Sequence, residues 1–584
     1  INLTNTSITE SDPVWSADGK YIYFTSSRLK PSYPMGMQSP KIYRVALEKL
    51  DDPFRIDKFN EMFKEEKKDT ASTTKKDTSA KLAPQVDNSA LVMDLENVME
   101  RIELISPPFG DQYLQALYTK GDKTTALYWS NHGEGRNALW KTVLEPFETI
   151  KTEKIAGSDN ASLGNIVEVS DKLFVLLNGT VHKLSLEANK VDPVNTSYAF
   201  RRALQEEFAQ IFEEMWADVS ENFYDDKFHG IDWTKMKERY QRYVPYLNTR
   251  ADLRTMMNDM LGELNSSHQG FNTFGSEEVV SLQNTTMETG LLFEDESPYK
   301  VRSVVKRSAA DRKGIDIRPG DVLVKVNDRA VDQTVDRAYY FTRPSLDKEI
   351  RLTFSRANQP YDVKLHPQSS LFGQLYEEWI DNNQKRVDEK TNKRIAYACM
   401  KNMGTGELEN FLVDMTKELV GRDGLILDLR YNTGGNVHDE VLKFLSQKSY
   451  LQWRYREGQL TPQSNFAPSD KPIVLLTNEQ SLSDAEMTAE GFKALKLGKI
   501  IGNETYRWII FTSGMSLVDG SQVRMPSWGC YSLDGKDLEM SGVKPDILVI
   551  NSFEDKIAGR DPQLDKAIEE ISKGWKQTGT TKAN

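Results

Sequence analysis

The residue of this sequence best placed to act as a nucleophile is Ser483, in Asn478-Glu-Gln-Ser-Leu-Ser-Asp-Ala-Glu486. The stretch follows Pro472-Ile-Val-Leu-Leu-Thr477, an apolar β-branched run that reads as a buried strand, and precedes Met487 to Leu497, whose Met487, Phe492, Leu495 and Leu497 fit one helical face. A serine at such a junction stands at the edge of a sheet beside the first N–H groups of a helix. Those groups and the helix dipole favour the negative charge of an oxyanion. The plainer reading is a helix cap: Ser481 or Ser483 closes the first turn, and Asp484 and Glu486 complement the dipole.

Three other stretches weigh against a mere cap. Asp428-Leu-Arg-Tyr-Asn-Thr-Gly-Gly-Asn436 ends a buried strand in two glycines, which permit unusual φ and close backbone approach, so that an N–H can face a developing oxyanion. Gly262-Glu-Leu-Asn-Ser-Ser-His268 sets a histidine at a helix end next to serines, and imidazole suits a general base near neutral pH. Leu538-Glu-Met-Ser-Gly-Val-Lys-Pro-Asp546 sets Glu539 just before a turn. Taken singly, the glycine pair is more often an ordinary loop, the histidine more often an electrostatic cap, and Glu539 by itself says almost nothing.

The elements that must hold these residues follow in order. Residues 1–200 read as β-rich, with Asp12-Pro-Val-Trp-Ser-Ala-Asp-Gly-Lys-Tyr-Ile-Tyr-Phe24 as turn and strand and a loose repeat of about 45 residues that suits a propeller or sandwich. Lys64 to Ala83, within an insertion at about 64–84, is charged and Thr/Ser-rich and reads as a mobile surface loop. Residues 201–275 turn helical, with Phe208, Ile211, Phe212, Met215, Trp216 and Val219 at helical spacing and a capping box at Thr249-Arg-Ala-Asp252. Residues 280–368 form a β-rich module in which Ser308 to Gly314 reads as a short helix, and residues 369–584 alternate strand and helix as an α/β domain with a largely parallel sheet.

Composition narrows the field. A chain of 584 residues implies several domains. Net charge of -12 without a strong basic stripe argues against a nucleic-acid partner, and no apolar run reaches the ~20 residues that span a bilayer. Two cysteines, Cys399 and Cys530, make neither a disulfide scaffold nor a zinc site.

In their joint order, "GELNSSH", "DLRYNTGGNVHDE", "NEQSLSDAE", "GFKALKLGKIIG", "VDGSQVRMP" and "LEMSGVKPDI" resemble the tricorn protease family, relatives of the C-terminal processing peptidases. "GLLF" at 290–293 and "IRPGDVLVKVN" at 317–327 resemble a PDZ domain, which captures extended peptides by strand addition. The resemblance implies a multidomain fold: a partial β-propeller, a small helical segment, a PDZ-like β domain and an α/β catalytic domain. It implies a serine peptidase acting on oligopeptides, with no cofactor or metal and assembly into a homo-oligomer, a hexamer in the archaeal case. By the same resemblance Ser483 is the nucleophile, His268 the base, Ser267 and Glu539 the rest of the relay, and the N–H groups of Asp484 and of Gly435 or Gly434 the oxyanion hole, with Gly435 favoured. A start at Ile1 and room for only three or four blades fit a C-terminal portion, and the compartment stays open between cytoplasm and periplasm. The chain departs from the family at Arg507-Trp-Ile-Ile-Phe511, where a glycine-rich turn is usual and bulky residues would reshape the pocket. The alternatives are a catalytically silent peptide-binding scaffold and a non-peptidase serine hydrolase.

Overall fold

The computed structural model describes residues 3–573 except 5, 7, 29–38, 49–92, 95, 109, 132–136, 146–147, 197–198, 200, 202, 280–284, 343–347, 420 and 540. The charged insertion at 64–84 lies outside the described residues. The chain divides into two compact units, Ile1–Phe200 and Arg201–Asn584. No described helix is long and apolar enough to cross a membrane.

Among the described residues, the first unit holds three four-stranded antiparallel sheets, each with its strands in sequence order. The first runs Glu10–Trp15, Tyr21–Ser26, Lys41–Ala46 and Ile102–Leu104; the second spans Gln112–Lys120 to Lys151–Lys154 and the third Leu163–Val169 to Lys190–Pro193. The turn that opens the first hairpin is held by Ser16, whose hydroxyl donates to Asp18 Oδ1 at 2.6 Å and accepts the Tyr21 N–H at 2.9 Å. Each sheet buries one face against the next. Tyr23 and Ile42 pack with Leu114 and Tyr128, while Leu127 and Leu139 pack with Val175 and Leu184.

In the second unit, the helices Leu204–Asn222, Trp233–Gln241 and Arg250–Gly262 share a core of Phe208, Ile211, Phe212, Met215, Leu253, Met257 and Met260. The expected capping box is present, with Thr249 and Asp252 each accepting the other's backbone N–H. Leu517, Val523 and Met525, from the hairpin Ile510–Ser516 and Gln522–Gly529, complete that core. The short strand Gly270–Asn272 pairs with the same hairpin, Phe271 opposite Val523. The chain just after His268 is thereby sewn to the far end of the sequence.

The β-rich module has its own core around Leu291, Val301, Leu323, Leu352 and Phe354. Ser308 to Gly314 is a run of turns rather than a helix; the small polar Ser308 hydroxyl contacts the Gly290 carbonyl instead of extending a helical face.

Among the described residues a five-stranded parallel sheet runs in sequence order: Ile395–Cys399, Gly424–Asp428, Ile473–Thr477, Lys499–Gly502 and Ile547–Leu548. Both faces are covered, as apolar runs in parallel strands require. Ala396, Leu425, Leu475 and Ile500 face the helices Thr405–Glu418, His438–Leu445 and Asp484–Ala494. Ile395, Ile426, Val474 and Ile501 face Val387, Leu564 and Ile568 of the helices Phe372–Thr391 and Pro562–Lys573.

Under the carboxyl ends of these strands lies a buried ion network. Arg430 spans Asp428 (2.7 Å) and Asp561 (2.8 Å), and the Tyr397 hydroxyl donates to Asp428 at 2.9 Å. Arg430 is 1% exposed and Asp428 fully buried. Removing one partner strands a buried charge, which costs about 3–5 kcal/mol. Arg430→Met is therefore expected to raise hydrogen exchange of the Gly424–Asp428 strand amides by that free energy. Exchange unchanged from wild type would show that the network carries no net stability.

Candidate active site

In an open parallel sheet, sites assemble beyond the carboxyl ends of the strands. Gly424–Asp428 and Ile473–Thr477 are neighbours in register, so the loops that follow them lie side by side. Three bonds lock those loops together: Ser481 Oγ donates to the Leu429 carbonyl (2.7 Å), the Tyr431 N–H to Asn478 Oδ1 (3.0 Å) and the Leu482 N–H to the Asn432 carbonyl (3.1 Å). Ser481 is thereby spent on the loop.

Ser483 precedes the helix Asp484–Ala494 with φ 57° and ψ -117°. A non-glycine residue there stores of the order of 1–3 kcal/mol, which the surrounding bonds must hold. The helix begins three residues earlier than the apolar periodicity at Met487 indicates, because its first turn, Asp484-Ala-Glu486, is largely polar although buried.

Gly434 lies directly against Ser483. A Cβ at Gly434 (φ +78°) would stand 2.7 Å from Ser483 Cβ, and one at Gly435 would stand 2.1 Å from the Met403 carbonyl oxygen. The Gly434 N–H donates to Asn432 Oδ1 at 2.9 Å, whereas the Asp484 N–H belongs to the first helical turn and is not consumed by the helix.

Two further parts come from distant segments. Glu539, 3% exposed, accepts the Ser267 N–H (2.6 Å), the Ser267 hydroxyl (2.9 Å) and the Ser266 hydroxyl (3.2 Å). His268, at φ 56°, sets its ring 5.3 Å from the Trp508 ring at a tilt of 59°. Its Nε2 is buried without a hydrogen-bond partner among the described residues. Burial, and then the nearby Arg524 guanidinium, hold His268 below the ordinary histidine pKa, outweighing the Trp508 carbonyl.

The structure thus brings Ser267 to Glu539 and Gly434 to Ser483. It does not join His268 to Ser483 or to the Ser267 hydroxyl by a hydrogen bond among the described residues. A cavity of about 540 Å³ opens beside His268, lined by Ser266, Ser267, Tyr506, Trp508, Arg524 and Glu539.

Glu486 explains why Trp508 is there. Fully buried, its carboxylate accepts N–H groups from Ser483 (2.9 Å), Arg507 (2.8 Å) and Trp508 (2.8 Å), together with the Thr505 hydroxyl. Burial raises its pKa despite those four donors. The sequence reading assigned Glu486 only to the helix dipole, although its spacing of three from Ser483 is that of a capping box. His438, whose Nδ1 lies 2.5 Å from Asp484 Oδ1, was missed as well, and nothing local marks it.

Family models match three segments in order: Tricorn protease C1 domain over 204–262, PDZ domain over 300–356 and Peptidase family S41 over 394–549. The putative Tricorn-like protease C-terminal subunit of Sulfurisphaera tokodaii is 24% identical over 97% of this chain and 66% of its own length. The tricorn protease of Thermoplasma acidophilum is 26% identical over 75% of this chain and 42% of its own length. A crystal structure of the tricorn protease superposes with TM-score 0.73 at 22% identity, over 98% of this chain and 55% of that one, which shows the same fold. The chain therefore spans only part of the relatives it matches. With these segments in this order and relatives aligned along nearly its whole length, the chain is similar to the tricorn proteases.

Proposed function

We propose that the chain is a serine peptidase of oligopeptides in which Ser483 is the nucleophile and His268 the general base. The observation that carries the reading is Ser483 itself, in a sparsely populated backbone conformation at the head of a helix and packed against Gly434. Strain of this kind persists only where the surroundings enforce it, and it clusters at working sites.

Each residue then has a defined task. His268 Nε2 takes the Ser483 proton as Oγ attacks the scissile carbonyl, and later returns it to the leaving amine. The oxyanion is received by the N–H groups of Asp484 and Gly435; the Gly434 N–H is already given to Asn432, which favours Gly435. With its proton on Nδ1, the imidazole offers the unpartnered Nε2 as acceptor, and the Ser267–Glu539 pair fixes the stretch of chain that carries it. Closing the unmade Ser483–His268 hydrogen bond is the adjustment that substrate binding or assembly must supply.

The domain divisions at 1–200, 201–275, 280–368 and 369–584 follow from the same reading. The three stacked four-stranded sheets support propeller blades. Homo-oligomerisation, as a hexamer, rests on likeness alone. A silent peptide-binding scaffold is the second reading, and the unmade Ser483–His268 bond favours it.

Mass spectrometry of a mixed short-peptide library treated with wild type and with Ser483→Ala decides between them. Cleavage by wild type alone is expected. Equal cleavage by both would remove Ser483 from the chemistry, and silence of both in folded, assembled protein would favour the scaffold. A second expectation follows from His268. Imidazolium cannot act as the base, so activity falls as pH drops through its pKa. Because burial lowers that value, the acid limb of kcat/KM should lie below about 6.5 when scanned from about pH 5 to 8. A limb at or above 6.5 contradicts the assignment.

A further inference from the structure

Between Ser483 and Glu486 sits a second buried carboxylate whose bonds lead in the opposite direction. Asp484, 2% exposed, accepts the Val437 N–H at 2.7 Å and the His438 N–H at 3.0 Å on Oδ2, and His438 Nδ1–H at 2.5 Å on Oδ1. All three donors belong to the segment just past Gly434-Gly435, at the start of the helix His438–Leu445. On the other side of the glycines, the Asn432 carbonyl accepts the Leu482 N–H at 3.1 Å. The glycine pair is thus pinned at both ends to residues that flank Ser483. A third pin lies behind it: the Met403 N–H donates to the Gly434 carbonyl and the Asn436 N–H to the Met403 carbonyl, both at 2.8 Å.

We propose that the Asp484 carboxylate and His438 are positioning residues that clamp the Gly434–Gly435 turn to the nucleophile helix, so that two backbone N–H groups converge on one oxygen. The inference rests on the peptidase reading above and extends it to side chains outside the relay. The physical case is one of reach. A glycine pair has no side chain to fix it, and two donors supplied by different loops serve one oxyanion only if the loops keep a constant offset. Asp484 supplies that constraint with the side chain of the residue whose own N–H is one of the donors. His438 serves it twice, through its backbone and its ring. Asp439 lies 3.7 Å from His438 Nε2, so the far side of the ring also faces a carboxylate. A loop displaced by about 1 Å costs on the order of 100-fold in rate, while the ground-state contacts of a peptide change little.

The test uses the full chain carrying Asp484→Asn, His438→Ala or His438→Asn. Asparagine at 484 keeps one acceptor but turns its amide toward N–H donors. Asparagine at 438 keeps a donor near the position of Nδ1. Three quantities are read for each folded variant: kcat and KM on a peptide that wild type cleaves, the affinity of a peptide boronic acid that forms a tetrahedral adduct on Ser483, and the affinity of an uncleaved product peptide. Asp484→Asn is expected to lower kcat on the order of 10- to 100-fold with KM within about twofold. Boronate affinity should fall by a similar factor and product-peptide affinity should hold. His438→Ala should show the same pattern at smaller size, and His438→Asn should restore much of the loss.

Unchanged kcat in folded Asp484→Asn overturns the clamp, as does equal weakening of boronate and product peptide, which would mark general structural damage. Failure of the underlying reading looks different: Ser483→Ala would then cleave as wild type does, or wild type would neither cleave nor capture the boronate, and the clamp would fall with it.

Discussion

A carboxylate with no access to water must find donors, and the satisfaction of Glu486 organises everything around Ser483. Each of its four hydrogen bonds comes from a part of the site that would otherwise be free to drift: the Ser483 N–H, the Thr505 hydroxyl, and the N–H groups of Arg507 and Trp508. A buried charge left unpaired costs several kcal/mol, so these groups are held as a set. The strained turn at Ser483 and the placement of Trp508 against the imidazole are two consequences of one buried acid. The bulky residues at 507 and 508 are held by their backbones, which leaves their side chains to shape the cavity wall.

The first turn of the helix Asp484–Ala494 therefore divides its labour by direction. Glu486 reaches toward the 505–508 segment and the imidazole, and Asp484 reaches toward the glycine loop. Both acids suit the positive end of the helix dipole, which is how a sequence reader accounts for them, and both also do something that no dipole argument contains. Local rules describe why such residues are tolerated; tertiary neighbours decide what they are for.

Legibility in the sequence followed the range of the interactions. The strands at 395, 424, 473 and 499 were readable because burial on both faces leaves apolar runs with no alternation to confuse. Ser483, Gly434 and Gly435 stood out through spacing, since a strand end, a glycine pair and a helix start are local events. The Ser267–Glu539 contact was not readable from residue types: it joins positions 272 apart, and only likeness to a family paired them. His438 carried no signal of its own, and Trp508 stood out only within the departure at Arg507 to Phe511, because their roles are fixed by which loop happens to lie opposite. The helix expected at Ser308 to Gly314 failed for the converse reason, since small residues compatible with a helix were drawn instead into turns against Gly290.

The separation between Ser267 and Glu539 also has a bearing on how such a chain comes into being. During synthesis the segment of His268 emerges first, Ser483 some two hundred residues later, and Glu539 later still. The strand Gly270–Asn272 cannot take its place until Gln522–Gly529 has been made. Contacts so distant in sequence are among the last that a folding chain secures. A growing polypeptide of this design therefore carries the parts of the proposed site unassembled until Gln522–Gly529 and Glu539 have been made.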